Sequence, residues 1–136
     1  MRFDTKIAIA VREDLAPWQE LNVTAFLASG IAHADADIMG SPYEDAAGRV
    51  YQPLFREPVL VYAATAEQLA ALHTRALTRD LRIAVYTAEM FATGNDADNR
   101  AVVLKADPDA LDLVGVAVHG PRNAVDRSVK GLRLHS

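Results

Sequence analysis

The chain predicts an α/β domain of three layers, with helices on both sides of a small mixed, mostly parallel sheet of four to five strands. Three observations carry that expectation. Short apolar runs rich in β-branched residues recur at 6–11, 58–63, 81–86 and 111–119. Amphipathic helical patterns lie between them. The succession from Pro58 to Tyr86 has the size of a βαβ unit, which requires a parallel pair and a right-handed crossover.

Lys6 to Val11 is apolar almost throughout, as in a central strand covered on both faces. Arg12-Glu13-Asp14 breaks the run, and Pro17 opens a helix where its missing N–H costs little. Val23, Phe26, Leu27, Gly30, Ile31 and Ala34 form a stripe that should press on the sheet. From Asp35 to Glu57 the pattern dissolves into turn signals, with 50–54 able to pair as a short strand. After the second strand, Thr65-Ala66-Glu67-Gln68 is a capping-box start for a helix reaching about Arg79. The third strand is followed by a turn or short helix at 87–93. Asn95 or Asp96 then caps a helix over about 97–105, which Asp107-Pro108 ends. The fourth strand contains Gly115, the mark of a bulge or a close backbone approach. Asn123 caps a last short helix, Gly131 ends it, and 132–134 can add an edge strand.

At 136 residues the chain fits a single domain, 1–136, able to bury a core without staples. It has no cysteine, which excludes disulfides and thiolate metal sites and is compatible with a cytoplasmic location. The first apolar run is too short for a signal segment or a membrane span, so no membrane partner is expected. A net charge of −4 argues against a phosphate-binding surface, which makes nucleic acid a poor candidate partner.

The opening Lys6-Ile7-Ala8-Ile9-Ala10-Val11-Arg12-Glu13-Asp14-Leu15 resembles the first strand of type II peptidyl-tRNA hydrolases with its Val-Arg-x-Asp-Leu ending. The closing Lys130-Gly131-Leu132-Arg133-Leu134 resembles that family's Gly-x-Leu-x-Leu. The strings Asn22-Val23-Thr24-Ala25-Phe26-Leu27, Glu89-Met90-Phe91 and Asn99-Arg100-Ala101 are more closely similar to a bacterial family of unknown function grouped with that fold, DUF2000. The resemblance implies a peptidyl-tRNA hydrolase II-like fold over nearly the whole chain. It also implies a lost activity. The hydrolase's Lys, Gln and His on the first helix fall on Asn22, Phe26 and Ser29, and the Asp that ends its third strand falls on Thr87. Ester hydrolysis needs a proton-transfer group and a holder for the oxyanion, and these residues do not supply that acid–base pair.

Two groups remain as candidate sites. Arg12, Asp14 and Asn22 lie where the first strand meets its helix, the usual ligand position in open α/β sheets; alternatively Arg12 and Asp14 pair with each other. Thr87, Glu89, Thr93, Asn95, Asp96, Asn99 and Arg100 gather after the third strand and face the same cleft if strands one and three are parallel neighbours. Otherwise they cap and decorate the next helix. Glu89, flanked by Met90 and Phe91, is the general-base candidate because such a carboxylate can be partly desolvated. Asn22 and Thr24 are the matching hydrogen-bonders, and Ser29 adds a hydroxyl to the edge of the cleft.

The histidines do not make a convincing metal set: His33, Asp35 and Asp37 point to different helix faces, while His73, His119 and His135 stand apart. Trp18, Tyr43, Tyr51 and Phe55 can form an aromatic lid, the anchors of the long connection or a subunit interface. No phosphate loop, Gly-x-Ser-x-Gly or Walker pattern is present, so no cofactor is expected. The expectation is a protein that binds a small molecule or peptide beside Asn22 and assembles as a homo-oligomer, a dimer first. The alternative is a hydrolase or transferase with Glu89 as base.

Overall fold

A computed structural model describes residues 2–136. In chain order the elements are β1 (Thr5–Arg12), α1 (Pro17–Ala34), β2 (Tyr43–Glu44), β3 (Val50–Tyr51), β4 (Val59–Ala64), α2 (Ala66–Thr78), β5 (Arg82–Thr87), α3 (Asp96–Lys105), β6 (Leu113–Pro121), α4 (Arg122–Ser128) and β7 (Arg133–Leu134). Single 3-10 turns follow α1 at Ala36–Ile38 and β5 at Ala88–Ala92.

β1 lies at the centre of a five-stranded sheet of order β5-β6-β1-β4-β7. Its residues alternate between two cores, as strand geometry requires. Ile7, Ile9 and Val11 meet Val23, Leu27 and Ile31 of α1, whereas Ala8 and Ala10 meet Leu69, Leu72 and Ala76 of α2 and Val125 of α4. Covering on both faces is why the run is apolar without interruption. The small alanines on the second face leave room for two helices.

The sheet is mixed but not mostly parallel, contrary to the expectation from pattern. Only β1 and β4 pair in parallel, while β1–β6, β5–β6 and β4–β7 are antiparallel. The reason is β6, which returns between β1 and β5. Thus β4 and β5 run the same way without being neighbours, and so do β1 and β5. Their C-terminal ends still lie at one end of the sheet.

Gly115 marks a close approach. A Cβ there would lie 2.5 Å from Val23 Cγ1 and 2.9 Å from Leu27 Cδ1, so its absence lets α1 sit tight on the sheet. The register also skips Val114 opposite Tyr86–Thr87, a bulge that twists the end of β5.

The 35–57 connection has structure of its own. Met39 bridges Phe55, Gly40 N–H donates to the Leu54 carbonyl at 2.8 Å, and β2 and β3 form a hairpin beyond. Asp45 builds its turn: Oδ1 accepts from Ala47 and Arg49 N–H at 2.9 and 3.0 Å, and Oδ2 accepts from the Tyr51 hydroxyl at 2.8 Å. Gly48 takes φ +84° there, which favours glycine. The α2 capping box forms as the sequence predicts, with Gln68 N–H donating to Thr65 Oγ1 at 3.1 Å and Thr65 N–H donating to Gln68 Oε1 at 2.9 Å. Asn123 falls inside α4 rather than at its cap, which is Pro121.

Candidate functional site

α1 buries Val23, Leu27 and Ile31 against the sheet, so the neighbouring face with Phe26, Ser29 and Gly30 turns toward the edge strand β5. Gly30 keeps that face thin: a Cβ there would be 3.3 Å from the Ala84 Cβ. On the far side stands α3. Asn95 Oδ1 caps it, accepting from Asp98 N–H at 2.9 Å, and Thr93 bonds Asn99 side chain to side chain. None of its residues is fully buried, so α3 stands off from β5 instead of packing on it.

The gap between α1, β5 and α3 is a cavity of about 660 Å³, within the range of small-molecule sites. Leu27, Ala84, Val85, Val103 and Leu104 give it an apolar lining. An adjoining hollow of about 380 Å³ shares Phe26, Tyr86, Met90, Asp96 and Asn99 with it, so the two form one cleft. The hollow adds Asn22, Thr93 and Asn95, all hydrogen-bonding side chains without charge. An aromatic chain crosses this end, with centroid distances of 6.1 Å for Trp18–Phe91, 5.3 Å for Phe91–Tyr86 and 5.8 Å for Tyr86–Phe26. Burial pushes the Tyr86 phenol above its ordinary pKa. The charged cleft residues, Asp96 and Arg100, are joined in an ion pair.

Residues 5–136 match a family described as a protein of unknown function, DUF2000. The chain belongs to the DUF2000 family. It is also similar to the solved structure of a protein of unknown function from Agrobacterium tumefaciens strain C58, at 50% identity and a TM-score of 0.95, over 99% of this chain and 100% of that one. No curated protein matches.

In this DUF2000 fold the candidate residues separate into two places and several single positions. Asn22, Ser29, Asn99 and Arg100 line the cleft, joined by Thr93, Asn95 and Asp96. Asn95 and Asp96 also cap and open α3, as the alternative reading of that cluster has it, and β1 and β5 are not neighbours, so the condition set for a shared cleft is not met. Thr24 instead donates to the Glu20 carbonyl at 2.7 Å on its own helix. Thr87 is buried at the end of β5, its Oγ1 without a partner among the described residues.

Glu89 is exposed, and it lines neither part of the cleft nor any ion pair among the described residues. Its place on the 3-10 turn aims Met90 and Phe91 inward and the carboxylate away. Arg12 and Asp14 lie at a separate recess with Asp112, where Arg12 pairs with Asp14 at 2.6 Å and Asp112 at 3.2 Å. The Asp14 hydrogen bond, against some desolvation and helped by both carboxylate charges, holds the Arg12 pKa above its ordinary value. That is the paired alternative.

The apolar half of the cleft was not expected. Phe26 and Gly30 occupy helical spacing with Leu27 and Ile31 and so look like core, yet Phe26 is 54% exposed. Leu104, 86% exposed at the end of a polar helix, is the one local hint of an apolar surface there. The aromatic lid does not form: Trp18 packs on Phe91, Tyr43 and Tyr51 face each other across the hairpin, and Phe55 packs into the α1-side core. Among the described residues no three histidine or carboxylate side chains gather as a metal set, and no helix is long and apolar enough to cross a membrane.

Proposed function

We propose that this protein is a binding module that takes an uncharged, largely apolar small molecule or short peptide in the cleft between α1, β5 and α3. The continuity of the cleft carries this reading: apolar walls at one end pass into neutral amide and hydroxyl groups at Asn22, Thr93, Asn95 and Asn99. A site of that kind holds an apolar body and orients a polar end. Among the described residues its one carboxylate, Asp96, is paired with Arg100 and no imidazole lines it, which favours binding over a rewired hydrolase or transferase.

We further infer that the fold is peptidyl-tRNA hydrolase II-like with the hydrolase chemistry replaced. The opening strand, the closing Gly131-Leu132-Arg133-Leu134 and the substitutions at Asn22, Phe26, Ser29 and Thr87 support this. Homodimerisation belongs to the same proposal. An isolated two-stranded hairpin is marginal in water, and β2–β3 exposes Tyr43, Val50, Tyr51 and, beside it, Leu54, an apolar patch suited to a second copy.

The test is titration with a neutral apolar fluorophore, N-phenyl-1-naphthylamine. Ser29→Phe, which fills the cavity from an exposed position on α1, is expected to weaken the probe at least tenfold. Equal binding by the variant and the wild type would remove the cleft from consideration.

A further inference from the structure

Resting on the cleft as the binding site, we propose that its ligand is an extended, uncharged peptide that adds to the free edge of β5 as a further strand. Among the described residues β5 pairs with β6 alone. In an antiparallel ladder the N–H and C=O of every second residue point away from the partner strand, so β5 presents unpaired donors and acceptors along its outer side. Edge strands are usually guarded by charge, proline or cover against pairing with another chain. The stretch Ile83-Ala84-Val85-Tyr86 carries neither charge nor proline.

The shape of the cavity supplies the second observation. Ala84 and Tyr86 belong to the core on the α1 side, and Val85 packs against the core on the α2 side. All three line the cavity. Three successive residues of this edge strand border the space, so it runs along β5, and an added strand lies about 4.8 Å from the strand it joins.

The charges fit the same occupant. Asp96 and Arg100 are paired, and the remaining lining is apolar or carries neutral amide and hydroxyl groups, which suits peptide groups with apolar side chains. A second copy bringing its own β5 to this edge would also have to bring α1 and α3, which flank it. A single strand needs no such room.

The test uses the full-length ¹⁵N-labelled chain and a pool of acetylated, amidated hexapeptides built from valine, leucine, alanine, threonine and serine. Alternate β5 amides are expected to gain protection from hydrogen exchange. The fully N-methylated pool, which keeps the side chains and removes the donors, is expected to bind at least tenfold more weakly. Equal binding by the methylated pool would overturn strand addition and leave the cleft reading intact, as would binding of N-phenyl-1-naphthylamine but not of peptides. Protection of β5 that appears without peptide and tracks a doubled mass would assign the edge to a second copy and overturn the proposal. Failure of both peptides and fluorophore would overturn this inference and the cleft reading together.

Discussion

Gly115→Ala tests how tightly the sheet holds α1, and therefore how the cleft keeps its width. The new methyl would lie 2.5 Å from Val23 Cγ1 and 2.9 Å from Leu27 Cδ1, both on side chains that are themselves fully packed. Overpacking of this kind costs about 1–3 kcal/mol. With an unfolding entropy of about 2.1 cal/mol/K per residue, that corresponds to a Tm lower by about 4–10 °C. Val23→Ala alone deletes two buried methyl groups and costs about 2 kcal/mol. In the double variant the smaller side chain makes room for the methyl, so the combined cost should fall short of the sum by about 1 kcal/mol or more. Urea denaturation of the four proteins measures the cycle. Because α1 forms one wall of the cleft, Gly115→Ala should also weaken the apolar probe, and Val23→Ala should restore it. A Gly115→Ala cost under about 0.5 kcal/mol, or strictly additive costs, would refute the packing argument.

Removing the α2 cap with Thr65→Ala should cost about 1 kcal/mol, with Gln68→Ala adding little afterwards because the two side chains cap reciprocally; thermal unfolding of the single and double variants checks this. The Asp45 carboxyl is held below its ordinary value, first by the Arg49 N–H and then by the Tyr51 hydroxyl. Its support for the hairpin turn is therefore present above the unfolded value of about 3.8 and lost as pH falls through the lower folded value, visible as Tyr51 chemical-shift changes only in that acid range. His135 is shifted the other way, raised first by the Ser136 carbonyl and then by Glu20. Its tether of β7 should be complete below the unfolded value of about 6.5 and lost as pH rises through the raised folded value. Hydrogen exchange of the His135 amide, which donates to the Val61 carbonyl at 2.9 Å, should accordingly quicken beyond its intrinsic pH dependence, and Glu20→Gln should reduce the effect. For the dimer proposed through the hairpin, light scattering should give a doubled mass for the wild type and a monomer for Val50→Glu with Leu54→Glu; a wild-type monomer at every concentration removes the dimer.

The four long strands, β1, β4, β5 and β6, were legible in the sequence because each is an apolar run bounded by charge, Gly or Pro. α2 was legible because Thr65 and Gln68 announce its start. Strand order was not, since a run such as Lys6 to Val11 reads the same whether its neighbours are parallel or antiparallel. What sets the order is the return of β6 between β1 and β5, a tertiary choice with no local signature. Of the β2–β3 hairpin only the second strand was foreseen, within 50–54, because its strands are two residues each and all exposed; the turn chemistry of Asp45 and Gly48 holds it, with no alternating pattern. Asn22 and Asn99, both named from the sequence, line the polar end of the cleft. Its apolar end was hidden because Phe26 and Gly30 share the helical spacing of core residues, and nothing local says that α3 stands off from β5.

The most direct measurement is an amide chemical-shift map of the ¹⁵N-labelled protein titrated with N-phenyl-1-naphthylamine. Saturable shifts gathered at Leu27, Ser29, Gly30, Ala84, Val85, Asn99 and Val103 are the predicted result. Shifts scattered over the surface, gathered at the Arg12–Asp112 recess or absent would contradict the cleft as the functional site.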